Sequence, residues 1–348
     1  MSRRVFASLL LASGVAAGCG VAVAQAHHRT AGTDTKISPG RGGAKASPAD
    51  APLRDVRPVH AVAPAPTTAA APVAAAPYHV AADDVSRAAK QLAADIALEV
   101  TTYDAGATAA DVARTVRTTP AGQRALAQAV RPLVHAGMSS SGSIVYPQLG
   151  GLTPDAASVM VVVRQQVYDG SRRMLDQTRV LDVRLTRTPS GWAFDALASA
   201  GGEPVARPAD LSGAAAAVVS DRRIWLPDSA RWDIYRGAVS PTLLELMERI
   251  AARTPYAVTV LETGHPYDVF GTDHASLHSS GRAVDINTVG RDHVVSLRAA
   301  GSSAHALAQW LFDQPVVGQI GSPWDFDGAA SVRSFTNDVH LDHIHVSV

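Results

Sequence analysis

Eight of the chain's 13 histidines lie between His265 and His345. The stretch HASLHSSGRAVDI sets His278 seven residues before Asp285, and HLDHIHVSV gathers His340, His343 and His345 into the last nine positions. In an extended strand alternate residues share a face, so His343 and His345 project the same way. Gly281, closing a Ser-Ser-Gly turn, lets the chain reverse tightly and bring a loop histidine back beside a carboxylate in the next strand. Two imidazoles and one carboxylate make a three-ligand set suited to Zn²⁺. They leave a position open for water, the mark of a catalytic rather than a structural site. Asp342, three residues before His345, is placed to take a proton from such a water. Each piece alone has a plainer reading, since a His-x-His pair is ordinarily a half-exposed strand pair. Their joint occurrence carries the expectation.

Composition removes the competing chemistries. Lysine occurs only at positions 36, 45 and 90, and the sole cysteine is Cys19. Beyond residue 90 there is no thiol nucleophile, thiolate metal site, Schiff-base lysine or Ser–Lys dyad. A Gly-rich phosphate loop with its lysine is absent too. Thirty-one basic and 31 acidic residues give a formal net charge of zero, so neither nucleic acid nor an anionic membrane surface is an expected partner.

The elements that must position these residues lie in a chain long enough for two domains. Residues 1–26 read as an export signal: Ser2-Arg3-Arg4, an apolar stretch from Val5, and the small-x-small site Ala24-Gln25-Ala26. Membrane contact is expected only through this N-terminal segment, and the location outside the cytoplasm, secreted or at the cell envelope. Retention of the segment as an anchor, or a lipid on Cys19, stays open. Residues 27–80 are an Ala/Pro-rich tether with too few large apolar side chains to fold. Over 82–200, Val85, Leu92, Ile96, Val100 and Tyr103 repeat at helical spacing. Shorter helical stretches follow near 108–117 and 120–134, then strands at 158–168, 178–187 and 191–197, the last two joined by the turn TPSG. Helices on a curved antiparallel sheet resemble the nuclear-transport-factor-like or cystatin-like cone. No titratable cluster stands out there, so a protein partner or a spacer role is the expectation. After a boundary at GGEPVARPAD, residues 209–348 alternate helix and strand. A helix capped by Ser240 is followed by strands at 256–263 and around GRAVDIN, a helix at 303–313 and a final strand HIHVSV. The fold class is α+β, in two domains.

From about residue 240 the chain resembles the zinc D-Ala-D-Ala peptidase family, with its VanX- and VanY-like resistance enzymes and Hedgehog-type relatives. The family pattern S-x-H-x-x-G-x-A-x-D stands here as Ser276 to Asp285, and the later acidic-x-x-His as Asp342 to His345. The resemblance implies zinc ligands His278, Asp285 and His345, with Asp342 as general base. His343 and His340 would help hold substrate and oxyanion, or support the ligands and Asp342. It also implies a zinc metallopeptidase of the D,D-carboxypeptidase or endopeptidase type, cutting the peptide part of peptidoglycan. One feature departs from the pattern: the arginine expected near the strand end is replaced by Thr263-Gly264-His265-Pro266, so His265 is the candidate for its electrophilic role. A non-catalytic zinc-bearing wall-binding protein, or a zinc hydrolase of another amide or ester, remain the alternatives. His274, His293 and His305 lack spaced partners and are expected in loops or on the surface.

Overall fold

A computed structural model of the chain describes residues 76–211, 213–328 and 332–348. The expected export signal and nearly all of the tether lie outside the described residues. Three helices come first: α1 (Arg87–Thr101), α2 (Ala109–Thr115) and α3 (Pro120–Ala129). The buried stripe of α1 runs through Ala89, Ala93, Ile96, Ala97 and Val100, while Val85 and Leu92 pack only partly against the same core. A reciprocal Thr108–Asp111 capping box opens α2, and Thr119 followed by Pro120 opens α3.

Four antiparallel strands pair in chain order: β1 (Ser139–Leu152), β2 (Ala156–Asp169), β3 (Arg172–Thr188) and β4 (Gly191–Ser199). The β3–β4 turn falls where TPSG predicts it, with Gly191 at φ 125°. The sequence gives no warning of β1, whose SSSGSIVYPQLGGL carries Pro147 in its interior. Proline is tolerated because β1 is an edge strand, and its register with β2 shifts between Ile144 and Tyr146. Val159, Val161 and Val163 of β2, with Leu181 and Val183 of β3, face the three helices. Met160, Val162 and Val180 face the other way and pack on Val260. The sheet is therefore covered on both faces, which is why β2 reads as an almost unbroken apolar run.

The chain continues through α4 (Gly213–Ser220), β5 (Ile224–Trp225), α5 (Asp228–Tyr235), α6 (Pro241–Ala251) and β6 (Tyr256–Val260). Then come β7 (Ala283–Val289), β8 (Asp292–His293), α7 (Ser303–Phe312), β9 (Gln319–Gly321), β10 (Ser334–Phe335) and β11 (Ile344–Ser347). The second sheet runs β10-β9-β11-β7-β6-β5, with β8 paired to β7. α6 buries Leu243, Leu246, Met247 and Ile250 as its spacing predicts. Ser240 stands at its N-cap but makes no side-chain capping bond; Pro241 fixes the first turn instead. In α7, Leu307 and Leu311 are buried, whereas Trp310 stays half-buried beneath the guanidinium groups of Arg249 and Arg253.

The fold is thus mixed α+β, with an antiparallel sheet bearing helices. All described residues belong to one compact unit. The expected boundary at 201–210 is a stretch pinned to the first sheet: buried Arg179 of β3 donates to the carbonyls of Ala200 and Gly202, and Ser229 Oγ donates to the carbonyl of Gly201. Among the described residues no helix is long and apolar enough to cross a membrane.

Candidate metal centre

His278 sits in a single 3₁₀ turn, Leu277–Ser280, opened by Ser276 and closed by Gly281. Gly281 has φ 62°, and a Cβ there would lie 1.7 Å from the carbonyl oxygen of Ala238. Only glycine meets both conditions. The turn aims His278 inward, where its Nδ1–H donates to the carbonyl of Leu261. In the neutral ring this leaves Nε2 as a bare lone pair.

Asp285 lies in β7 and His345 in β11, directly opposite one another in the antiparallel register. Cross-strand neighbours on one face have their Cβ atoms about 4.5–5.5 Å apart, so pairing alone brings the carboxylate and the imidazole together. Asp285 Oδ1 is 3.1 Å from His278 Nε2 and 3.0 Å from His345 Nδ1, and the two nitrogens are 3.1 Å apart. Three acceptor-capable atoms form a nearly equilateral triangle. His278 has already spent its proton, so at most the proton on His345 Nδ1 is left to share. Ligands at 2.0–2.1 Å from a tetrahedral zinc would stand about 3.3 Å apart, close to these edges.

His265, on the turn after β6, stacks face to face on His278 with ring centroids 3.9 Å apart and 15° between planes. Its Nδ1–H donates to the carbonyl of Pro266 at 2.7 Å. Ligand atoms of His265, His278 and Asp285 all lie within 4.8 Å of one another, a group that could hold a metal ion. The triangle through His345 is the tighter of the two sets. Buried Asp233 of α5 holds the turn carrying His265 by accepting from the backbone N–H groups of Glu262 and Thr263, each at 2.9 Å. Gly264 packs against Val180 of the first sheet.

Asp342 is fully buried, and both its oxygens are committed. Oδ1 accepts from Nδ1 of His343 at 2.6 Å. Oδ2 accepts from the ammonium of Lys90 at 2.5 Å and from the backbone N–H of Leu149 at 3.0 Å. Burial favours the neutral acid, but Lys90 and His343 outweigh it and hold Asp342 below the ordinary carboxylate range. Asp342, expected as the general base, has both oxygens occupied and stands behind His343. Held from behind, His343 turns its Nε2 to within 3.7 Å of Asp285 Oδ2. Burial lowers the affinity of His343 for a proton, yet the carboxylates of Asp285 and Asp342 raise it above the usual imidazole value. His340 packs near both, its ring centroid 4.9 Å from His343, over Gly321, where a Cβ would collide with it. Its Nδ1 bonds to Asn337 Oδ1 at 2.7 Å. Burial pushes the imidazoles of His265, His340 and His345 below their ordinary value.

The first half of the chain, expected to serve a protein partner or as a spacer, also reaches this centre. Gln148 of β1 donates through Nε2 to Asp285 Oδ2 at 2.8 Å, and its Oε1 accepts from the hydroxyl of Thr259. Thr259 in turn accepts from Asn287 Nδ2 at 2.7 Å. Lys90 is a lysine in a helix with no local motif, and Gln148 follows a proline in a strand that the sequence hides; neither carries a signal by itself. Of the other histidines, His274 is exposed, His293 stacks on Tyr146 and His305 meets Trp324 edge-on.

A cavity of about 440 Å³ opens onto the centre, lined by His265, His340, His343 and His345 and by apolar Leu149, Phe270, Phe335 and Val339. Neither the known protein families, nor curated proteins, nor solved structures include a match to this chain.

Proposed function

We propose that this chain is an exported zinc-dependent peptidase that hydrolyses an amide bond in the peptide part of peptidoglycan. The observation that carries the reading is the triangle of His278 Nε2, Asp285 Oδ1 and His345 Nδ1 with edges of 3.0–3.1 Å. With Nδ1–H of His278 spent on Leu261, at most one proton is left to share among the three atoms, whereas a cation satisfies all of them. Two neutral imidazoles and a carboxylate are a zinc donor set, and three protein ligands leave room for substrate. When bound, zinc supplies Lewis acidity towards a carbonyl and towards water.

The chain's own residues divide the remaining work. His278, Asp285 and His345 hold the ion. His343, fixed at Nδ1 by Asp342, presents Nε2 to the same space and takes up the proton of the attacking water, then passes it to the leaving amine. Asp342 acts through His343, stabilising the imidazolium and selecting its tautomer. His265, with its Nδ1–H committed to Pro266 and its ring kept neutral by burial, is left without an N–H for an oxyanion; it stacks on His278 and holds that ring in place. The apolar wall of the cavity accepts small side chains of a stem peptide and excludes water. The peptidoglycan substrate and the location outside the cytoplasm rest on the resemblance of Ser276–Asp285 and Asp342–His345, and on the signal-like N-terminus.

The test is zinc analysis of the purified full-length chain, followed by incubation with defined muropeptides with and without Zn²⁺. Zinc near one equivalent and cleavage at an identified amide support the proposal. Zinc and wall-peptide binding without cleavage would favour a non-catalytic binding protein. Inertness towards wall peptides alongside hydrolysis of other amides or esters would move the substrate elsewhere.

A further inference from the structure

Building on that reading, we propose that Gln148 and Lys90 are positioning residues of the metal centre. Gln148 selects the oxygen of Asp285 that faces His278 and His345, and Lys90 selects the oxygen of Asp342 that faces His343.

A carboxylate has two equivalent oxygens, and a ligand set works only if one of them is directed to the ion. Gln148 removes the equivalence at Asp285. The Thr259 hydroxyl binds its Oε1, so its amide N–H must point to Asp285 Oδ2, and Oδ1 is left for His278 and His345. Partners of this kind, one bond behind a ligand, orient it and tune the metal.

Lys90 does the same one step further back. Its ammonium is fully buried and spends its three protons on Asp84 Oδ1 at 2.5 Å, Asp342 Oδ2 at 2.5 Å and the hydroxyl of Tyr146 at 3.2 Å. With the Leu149 N–H also on Oδ2, only Oδ1 of Asp342 remains for His343. A buried ammonium with two carboxylates is an expensive way to join a helix to a loop, and apolar side chains would do so at less cost. Its position directly behind the His343–Asp342 pair gives it a use.

The experiment takes full-length Gln148→Met and Lys90→Met, each about the shape of the original side chain and lacking its donor. Zinc affinity is measured by competition with a chromophoric chelator. The protonated nitrogen of His343 is identified by ¹⁵N NMR of histidine-labelled protein, and kcat and KM on a muropeptide are expressed per zinc-loaded molecule. Gln148→Met is expected to weaken zinc binding about 10–100-fold while circular dichroism stays native. Lys90→Met is expected to keep zinc, to lose or shift the His343 Nδ1–H signal, and to lower kcat about 10-fold or more at unchanged KM. If Lys90→Met does not fold, the pair Lys90→Met with Asp84→Asn leaves one carboxylate without its ammonium instead of two and takes its place. Wild-type zinc affinity in Gln148→Met, or an unaltered His343 signal and kcat in Lys90→Met, overturns the inference for that residue. A wild-type chain that binds zinc but cleaves no muropeptide removes the substrate, and zinc affinity and NMR still decide the positioning roles. A wild-type chain that holds no zinc overturns both.

Discussion

Nε2 of His278 and Nδ1 of His345 face one another at 3.1 Å across 67 residues of sequence, with Asp285 Oδ1 closing the triangle. Either side chain alone contributes one ligand atom, so His278→Ala or His345→Ala should lose most bound zinc and all turnover. Chelation of the wild-type chain should do the same, and added Zn²⁺ should restore activity to the wild type only. Zinc retained at one equivalent in both variants would show that the ion lies elsewhere.

The pair His343–Asp342 yields an ordering of variants. Because Asp342 acts through His343, His343→Ala should be at least as damaging as Asp342→Asn. Losses in kcat of about 10²–10⁴ are expected for removal of a proton-transfer group. Both variants should still bind zinc. A His343→Ala enzyme that stays far more active than Asp342→Asn would return the proton-accepting role to the carboxylate.

His265 stacks on His278, with its Nδ1–H held by the carbonyl of Pro266. His265→Ala removes the ring that steadies His278 and is expected to weaken zinc binding about 10-fold or more, measured by competition with a chelator. Unchanged zinc affinity would show that the ring only fills space.

Gly281 is a backbone requirement with a functional cost. Any side chain there meets φ 62° and the carbonyl of Ala238 together. Gly281→Ala should therefore destabilise the fold by more than the roughly 1–3 kcal/mol of a strained backbone position. Thermal melting and zinc content measured on the same sample check this, since the displaced turn carries His278.

Asp176, away from the centre, gives a pH dependence. Burial raises its carboxyl, but hydrogen bonds from Arg164 and Gln166 and the charges of Arg164 and Arg173 more than reverse that, leaving it below the ordinary aspartate value. A depressed folded-state value means stability that is present above the unfolded pKa near 4 and lost as pH falls through the folded one. Asp176→Asn should flatten the acid limb of the stability curve, by no more than about 1 kcal/mol for a partly exposed pair. An unchanged acid limb would show that the pair contributes nothing.

Much of the centre is legible in sequence because its geometry is local or set by strand register. The Ser-Ser-Gly turn announces the return of His278 towards Asp285, and alternation in HIHVSV announces that His343 and His345 share a face. Helices α6 and α7 and the β3–β4 turn follow from spacing and turn chemistry for the same reason. What escapes is whatever depends on the packing of one sheet against the other. β1 carries Ser, Gly and Pro because an edge strand tolerates them, so no strand pattern shows. Lys90 and Gln148 have meaning only across 252 and 137 residues, at Asp342 and Asp285, and no spacing rule spans such distances. The enclosure of Asp342 is hidden on the same ground: HLDHIH shows its spacing to His345, and only a distant lysine and the Leu149 N–H occupy its second oxygen.

The apolar run of β2 leaves neither face of the first sheet free, and its second face is roofed by Val260 and by Trp225. Truncation to the histidine-rich half would therefore strip a wall from the centre along with a neighbour. A fusion protein or a library of shorter variants made from this chain has to carry residues from α1 onwards, since the histidines and the helix-and-strand layer beneath them function as one inheritance.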